Sequence, residues 1–214
     1  MADTATSGVL VIERSARPLR RWRWAALLVV LVLFAGLVSV LVAGFPSRLY
    51  TIPSGAMETT LHGCDRCTDD RVLVDRTAYW FGDPRPGDIV VFVAPPSWQD
   101  PGATAASAAF VRRVIAVGGQ TVSCCDDQNR VVVDGRAIDA PYVYLLPEAG
   151  AAAQSPFPPV HVPPGELWVM GDSRNNSADS RAPGKGPVPV DDVVGRMWWR
   201  VLPLSRFGRI ASAR

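Results

Sequence analysis

The sequence predicts a mainly β fold behind one N-terminal transmembrane helix. Its 18 glycines and 19 prolines in 214 residues favour turns and short strands over long helices. Short apolar or alternating runs bounded by Gly, Pro and Asp recur through the second and third thirds of the chain. One run without a charged residue, residues 24–45, is long enough to cross a bilayer.

The N-terminal run determines the predicted domain organisation. Its 22 residues would form a helix of roughly 33 Å, against a bilayer core of about 30 Å. A buried core helix or a cleaved signal peptide would be shorter, since signal-peptide apolar regions span about 7–15 residues. Five arginines precede the run (Arg14, Arg17, Arg20, Arg21 and Arg23), whereas Arg48 alone directly follows it. The positive-inside rule therefore predicts a cytoplasmic arm (1–23), a single membrane pass (24–45) and an extracytoplasmic domain (46–214).

Within residues 46–214 the patterns predict a β-rich domain. The predicted strands are 71–75, 88–93, 110–117, 121–125, 131–133, 166–170 and 193–201. Asp134 and Gly135 predict a hairpin turn before a further short strand at 136–138, because both positions tolerate positive φ. Residues 94–109 and 146–159 are rich in Ala, Pro and Gly and are predicted to be surface loops.

Composition excludes two functional classes. A hydrophobic fraction of 48% with 20% charged residues is not that of a disordered polar chain. A net charge of +2 is too balanced for a protein held to nucleic acid by a basic surface. We therefore expect no nucleic-acid partner.

Four motifs follow the predicted helix in a fixed order. Residues 52–61 read IPSGAMETTL, 86–92 read PGDIVVF, 110–119 read FVRRVIAVGG and 171–181 read GDSRNNSADSR. Together they resemble the type I signal peptidases, the leader peptidases of the serine–lysine class, and the resemblance covers roughly residues 20–205. The adjacent Cys124 and Cys125 and the single predicted anchor look most like the actinobacterial branch of that family.

The resemblance implies a β-rich catalytic domain at the outer membrane face, with no cofactor and no metal. Such enzymes bind the extended end of a signal peptide as an added strand and cut after an A-x-A-like pattern. The expected partners are therefore signal peptides of exported preproteins and the lipid bilayer. The family mechanism uses a serine nucleophile just before the Met of the first motif and a lysine base at the start of the KR pair.

Both positions of this catalytic dyad are substituted. The nucleophile position is Ala56, whose methyl group cannot attack a carbonyl. The base position is Arg112, whose guanidinium stays protonated and cannot accept a proton. The sequence therefore predicts a member of the family that is catalytically silent. Thr59 and Gln120 also depart from the family pattern, which favours a natural degenerate paralogue, with an active signal peptidase as a further expected partner, over an engineered knock-out.

The residues around the dyad are retained. The resemblance implies that Ser54 helps hold the developing oxyanion and that Ser177, Asp179 and Arg181 brace the site. With arginine at position 112, Asp179 is expected to pair with that guanidinium.

Two alternatives stay open. An active signal peptidase could use a rearranged dyad, for instance Ser54 with an unidentified base. Lys185, the only lysine, and the lone His62 and His161 are weaker candidates for that base than for structural roles. A non-proteolytic envelope protein could instead use its cysteines for redox work.

Four cysteines form two close pairs, Cys64 with Cys67 and Cys124 with Cys125. An extracytoplasmic domain permits disulfides, and four cysteines allow three pairings. A structural role is favoured over a thioredoxin-like or zinc site, because no βαβ pattern surrounds the C-x-x-C and neighbouring cysteines chelate a metal poorly.

Overall fold

The computed structural model describes residues 17–43, 47–63, 67–99, 109–150 and 153–212, and the side chains of residues 22–37 within the first of these ranges. By its contacts the chain divides into two compact units, Met1–Phe45 and Pro46–Arg214. Several predicted features lie outside the described residues. These are most of the predicted arm (residues 1–16), the end of the predicted membrane pass (44–45), Cys64 and parts of both predicted loops (100–108 and 151–152).

The first unit contains helix α1 (Arg17–Ala43), which begins within the predicted arm. Among the described residues, no helix has the length and apolar character needed to cross a membrane. The transmembrane helix predicted at residues 24–45 is therefore not supported by the structure.

The second unit is mainly β, as predicted. Its strands are β1 (Ser47–Thr51), β2 (Arg71–Asp75), β3 (Ile89–Val93), β4 (Ala109–Val117), β5 (Thr121–Cys124), β6 (Val131–Val133), β7 (Arg136–Ala137), β8 (Phe157–His161), β9 (Glu166–Met170), β10 (Val188–Pro189), β11 (Val193–Leu202) and β12 (Gly208–Arg209). In the part of the chain that the structure describes, they form two sheets. The larger has the order β1-β2-β11-β3-β4-β9-β10, with β12 beside β11, and the smaller has the order β7-β6-β5-β8.

The seven strands predicted from apolar or alternating runs are confirmed. The ends of each predicted strand agree with the structure to within one residue. The predicted hairpin is also confirmed, since Val133 pairs with Arg136 across Asp134 and Gly135. Both turn residues have positive φ, 49° and 76°. The alternation of apolar and polar residues was sufficient here because each of these strands buries one or both faces.

The loop predicted at residues 146–159 is wrong at its end, because β8 begins at Phe157. This strand contains two prolines, Pro158 and Pro159, which are rare inside a sheet because they cannot donate a backbone hydrogen bond. The structure accommodates them because, among the described strands, β8 lies at the edge of the small sheet and pairs with β5 alone. The loop predicted at 94–109 likewise contains a short 3-10 turn, Pro96–Trp98, whose tryptophan is buried against Phe92 and Phe110.

Three apolar clusters fill the second unit. One lies between the two sheets and joins β4 and β9 to β5, β6 and β8. A second joins β3, β4 and β9 to Trp98. The third joins β2, β3 and β11 to Ile52, Met57 and Leu61, which flank Ala56 in the first motif. This third cluster fixes the first motif to the large sheet.

Candidate functional site

The first motif forms a short 3-10 turn, Gly55–Met57, after an extended Ser54. Met57 and Leu61 are fully buried in the core, which holds the turn against the sheet, and Ala56 is also buried. Ser54 is exposed, and its side chain makes no capping hydrogen bond to the turn. A Cβ on Gly63 would lie 2.4 Å from the carbonyl oxygen of Ile52, so the chain returns past Ser54 too closely for any side chain at that position.

Arg112 lies in the middle of β4, opposite Val90 of β3, and β4 packs against the 55–57 turn. Its side chain is buried and donates hydrogen bonds to the carbonyl oxygens of Val111 (2.6 Å) and Ala178 (2.7 Å). The Nε of Arg112 is also buried, and it has no hydrogen-bond partner in the part of the chain that the structure describes. Ala56 and Arg112 therefore stand on contacting elements.

The last motif closes the site from a third side. The backbone N–H of Ser173 donates to the carbonyl oxygen of Ala56 at 3.1 Å. Gly171 lies close to the carbonyl oxygen of Ala56 and to the side chain of Ser177. A Cβ added at Gly171 would be 2.5 Å from that carbonyl oxygen and 2.3 Å from Ser177 Oγ. Position 171 thus accepts only glycine without a shift of the backbone around Ala56.

Asp179 is the buried acid of this motif, and its partner differs from the one expected. Arg181 donates to it through Nε (2.8 Å) and Nη2 (2.7 Å), and the N–H of Gly171 adds a third hydrogen bond at 3.0 Å. Burial by itself raises the pKa of the Asp179 carboxyl, but the hydrogen bonds and the charge of Arg181 outweigh it and lower the pKa. The expected pairing of Asp179 with Arg112 is wrong: Arg181, only two residues away, occupies both carboxylate oxygens.

A second buried acid, Asp172, was not singled out by the sequence. Arg113 donates to both of its oxygens, at 2.8 and 2.6 Å, and Thr60 Oγ1 donates to one of them at 2.6 Å. This pair links β4 and the last motif to the chain just after the 55–57 turn. Two sequence features could have indicated this ion pair: the consecutive arginines at positions 112 and 113, and the Gly-Asp pair at 171–172.

His62 has a partner, although the sequence left it as a lone histidine. Its Nδ1 contacts the carboxylate of Glu58, whose other oxygen accepts a hydrogen bond from the N–H of Gly63. Burial raises the pKa of Glu58. A histidine that acts as a general base is commonly oriented by a carboxylate in this way. In the sequence, only the spacing of four residues between Glu58 and His62 indicated this contact.

The remaining candidates lie elsewhere. Lys185 donates to the carbonyl oxygen of Trp98 at 2.9 Å and lies over the rings of Trp98 and Phe110. His161 ends the edge strand β8, where its ring contacts Thr121. Cys124 and Cys125 are joined in a disulfide, and Cys67 is also disulfide-bonded. No group of three or more metal-ligating side chains forms among the described residues.

This arrangement carries positive charge where the resemblance requires a base. Burial lowers the pKa of Arg112 to about 10, with Asp179 opposing the shift and Arg181 adding to it. The guanidinium thus stays protonated at neutral pH. It can donate hydrogen bonds and stabilise negative charge, but it cannot take a proton from a nucleophile.

Comparison with known proteins gives consistent matches. A family model described as signal peptidase, peptidase S26, matches residues 21–202. A signal peptidase I of Mycobacterium tuberculosis is 40% identical over 86% of this chain and 74% of its own length. A probable signal peptidase I of Mycobacterium leprae is 35% identical over 99% and 86%, respectively.

Similar proteins also occur outside the mycobacteria. A probable signal peptidase I-1 of Synechocystis is 34% identical over 89% of both chains. A crystal structure of a signal peptidase I from Enterococcus faecalis is 25% identical and has a TM-score of 0.40, over 53% of this chain and 95% of that one.

Proposed function

The chain belongs to the signal peptidase family, peptidase S26, and we propose that it recognises signal peptides of exported preproteins without cleaving them. The resemblance of its four motifs to type I signal peptidases is thereby confirmed, and the family implies preprotein substrates. Catalytic silence is the part that we add. In this proposal the protein keeps the peptide-binding surface of its relatives and has lost the hydrolytic step.

The observation that carries the proposal is the identity and surroundings of Arg112. Its guanidinium is buried, hydrogen-bonded to two backbone carbonyls and protonated at neutral pH. The nearby turn offers a methyl group at Ala56 in place of a hydroxyl. Loss of a nucleophile alone costs about six orders of magnitude in kcat in a well-studied serine protease.

A preprotein cleavage assay tests this function. The substrate carries an A-x-A site, and the purified full chain is compared with an Ala56→Ser, Arg112→Lys double variant and with each single variant. We expect cleavage by the double variant alone, because nucleophile and base are both needed. Cleavage by the unaltered chain contradicts catalytic silence, and failure of the double variant shows that decay extends beyond the dyad.

One observation favours a second candidate, an active peptidase with a rearranged dyad. The Glu58–His62 pair is followed by Gly63, whose added Cβ would lie 2.5 Å from the backbone nitrogen of Ser54. Ser54 would act as nucleophile and His62 as base. If the unaltered chain cuts the preprotein, Ser54→Ala and His62→Gln should each abolish that activity, whereas His161→Gln should not.

A membrane location is part of the proposal. It is supported by the uncharged run at residues 24–45 and by the arginines that precede it. Extraction of bacterial membranes with alkaline carbonate tests it: an integral protein stays in the pellet, whereas a peripheral one is released.

An active signal peptidase as a partner is proposed on the same basis as catalytic silence, since a silent homologue acts only through what it binds.

A further inference from the structure

The part of the site formed by β4 and the last motif holds more buried positive than negative charge. Arg112, Arg113 and Arg174 are buried there and Arg181 is partly buried, against the buried carboxylates of Asp172 and Asp179. Each carboxylate already accepts two hydrogen bonds from one arginine, Asp172 from Arg113 and Asp179 from Arg181. Within the described residues, Arg112 and Arg174 form no ion pair with a carboxylate, although the nearby Asp179 helps to stabilise the charged form of both.

Neutral groups satisfy these two arginines only in part. Arg174 donates to the carbonyl oxygen of Gly171 and to the side-chain oxygen of Gln154, and one of its Nη atoms is buried and unpaired. Arg112 uses two of its five N–H groups on backbone carbonyls, and its Nε is buried and unpaired. Ser173 Oγ is also buried in the site, without a hydrogen-bond partner among the described residues.

Buried donors are nearly always paired, and a buried cation without a counter-ion is strongly unfavourable. An anion that contacts Arg112 would supply hydrogen-bond partners for its remaining N–H groups and a negative charge beside its guanidinium. Of the two arginines, Arg112 is the one on the strand that packs against the 55–57 turn. A planar guanidinium with free N–H groups binds a carboxylate through two parallel hydrogen bonds.

We propose that Arg112 binds the free C-terminal carboxylate of a signal peptide that has already been cleaved. The inference rests on the proposed function, because a peptide must reach the site. In an intact preprotein the carbonyl at the cleavage point is a neutral amide, whereas in the product it is an anion. The chain would then retain the products of an active signal peptidase in preference to its substrates.

Peptide binding to the full chain in detergent tests this preference. The probe is a fluorescein-labelled peptide that ends in Ala-Gln-Ala, made once with a free carboxylate and once as the C-terminal amide. We expect the free acid to bind at least about ten-fold more tightly, as for a charge-assisted hydrogen bond. Equal affinities would overturn the inference and leave catalytic silence standing.

Variants assign the effect to Arg112. Arg112→Gln should weaken binding of the acid to the level of the amide, and thermal unfolding of the variant shows whether it is folded. Arg136→Gln, which removes a positive charge from the exposed hairpin, should keep the preference. Loss of the preference in both variants would indicate a general charge effect and reject the site. If neither peptide binds the unaltered chain, the inference and the peptide-recognition part of the proposed function both fail.

Discussion

Asp179 illustrates how one residue stabilises the site. It is fully buried and tied to Arg181 and to the backbone of Gly171. Those interactions lower its pKa in the folded state below the usual value of 3.8. The stabilisation they give is therefore complete above pH 3.8 and is lost as the pH falls through the lower folded-state pKa.

Substitution of this carboxylate should expose that dependence. Asp179→Asn should lower the free energy of unfolding by about 3 kcal/mol at neutral pH, because it leaves the guanidinium of Arg181 uncompensated. As the pH falls below 3.8, the free energy of unfolding of this variant should decrease less than that of the unaltered protein. Denaturant unfolding across the pH range measures both effects. Asp191→Asn, at an exposed position, should reproduce neither, and a variant with the unaltered pH profile would contradict the assignment.

Gly171 sets the spacing between the last motif and the 55–57 turn. Gly171→Ala should lower the free energy of unfolding by about 1–3 kcal/mol, because the added methyl meets the carbonyl oxygen of Ala56 and Ser177. Thermal unfolding of the purified chain measures the change. Gly82→Ala is the matched control, since an added Cβ there meets nothing within 4 Å. Equal stability of the two variants would mean that the backbone at position 171 can shift at little cost.

At the scale of elements, strand patterns and turns explain most of the second unit. The β6–β7 hairpin forms because Asp134 and Gly135 adopt positive φ. Gly135→Ala should lower the free energy of unfolding by about 1–2 kcal/mol, since an L side chain in the left-handed region crowds the carbonyl oxygen. The same unfolding experiment measures it, again beside Gly82→Ala. A neutral result would show that the short β7 adds little to the fold.

Across the whole second unit, the two sheets share one apolar cluster. Trp168 of β9 lies in that cluster and packs against Phe157 of β8, with ring centroids 5.4 Å apart. Trp168→Ala should lower the free energy of unfolding by about 3–5 kcal/mol. Because the cluster couples the sheets, hydrogen exchange should accelerate in both β5 and β9. Faster exchange in β9 alone would show that the small sheet is held independently.

The predictable part of the molecule was the part that local patterns specify. Alternating runs identified the main strands, and the motifs around Ala56, Arg112 and Asp179 identified the family. Strand β8 was missed because its prolines are compatible only with an edge position, which no local pattern reveals.

The sequence by itself determined which groups are present at positions 56 and 112: a methyl group and a guanidinium, neither of which can act as a nucleophile or accept a proton. Only the tertiary structure decided the partner of each charge. Asp179 pairs with Arg181, Asp172 pairs with Arg113, and Arg112 donates hydrogen bonds to backbone carbonyls instead. The physical reason is that residue type fixes the chemistry of a side chain, whereas pairing and burial depend on distances between segments that are far apart in the chain.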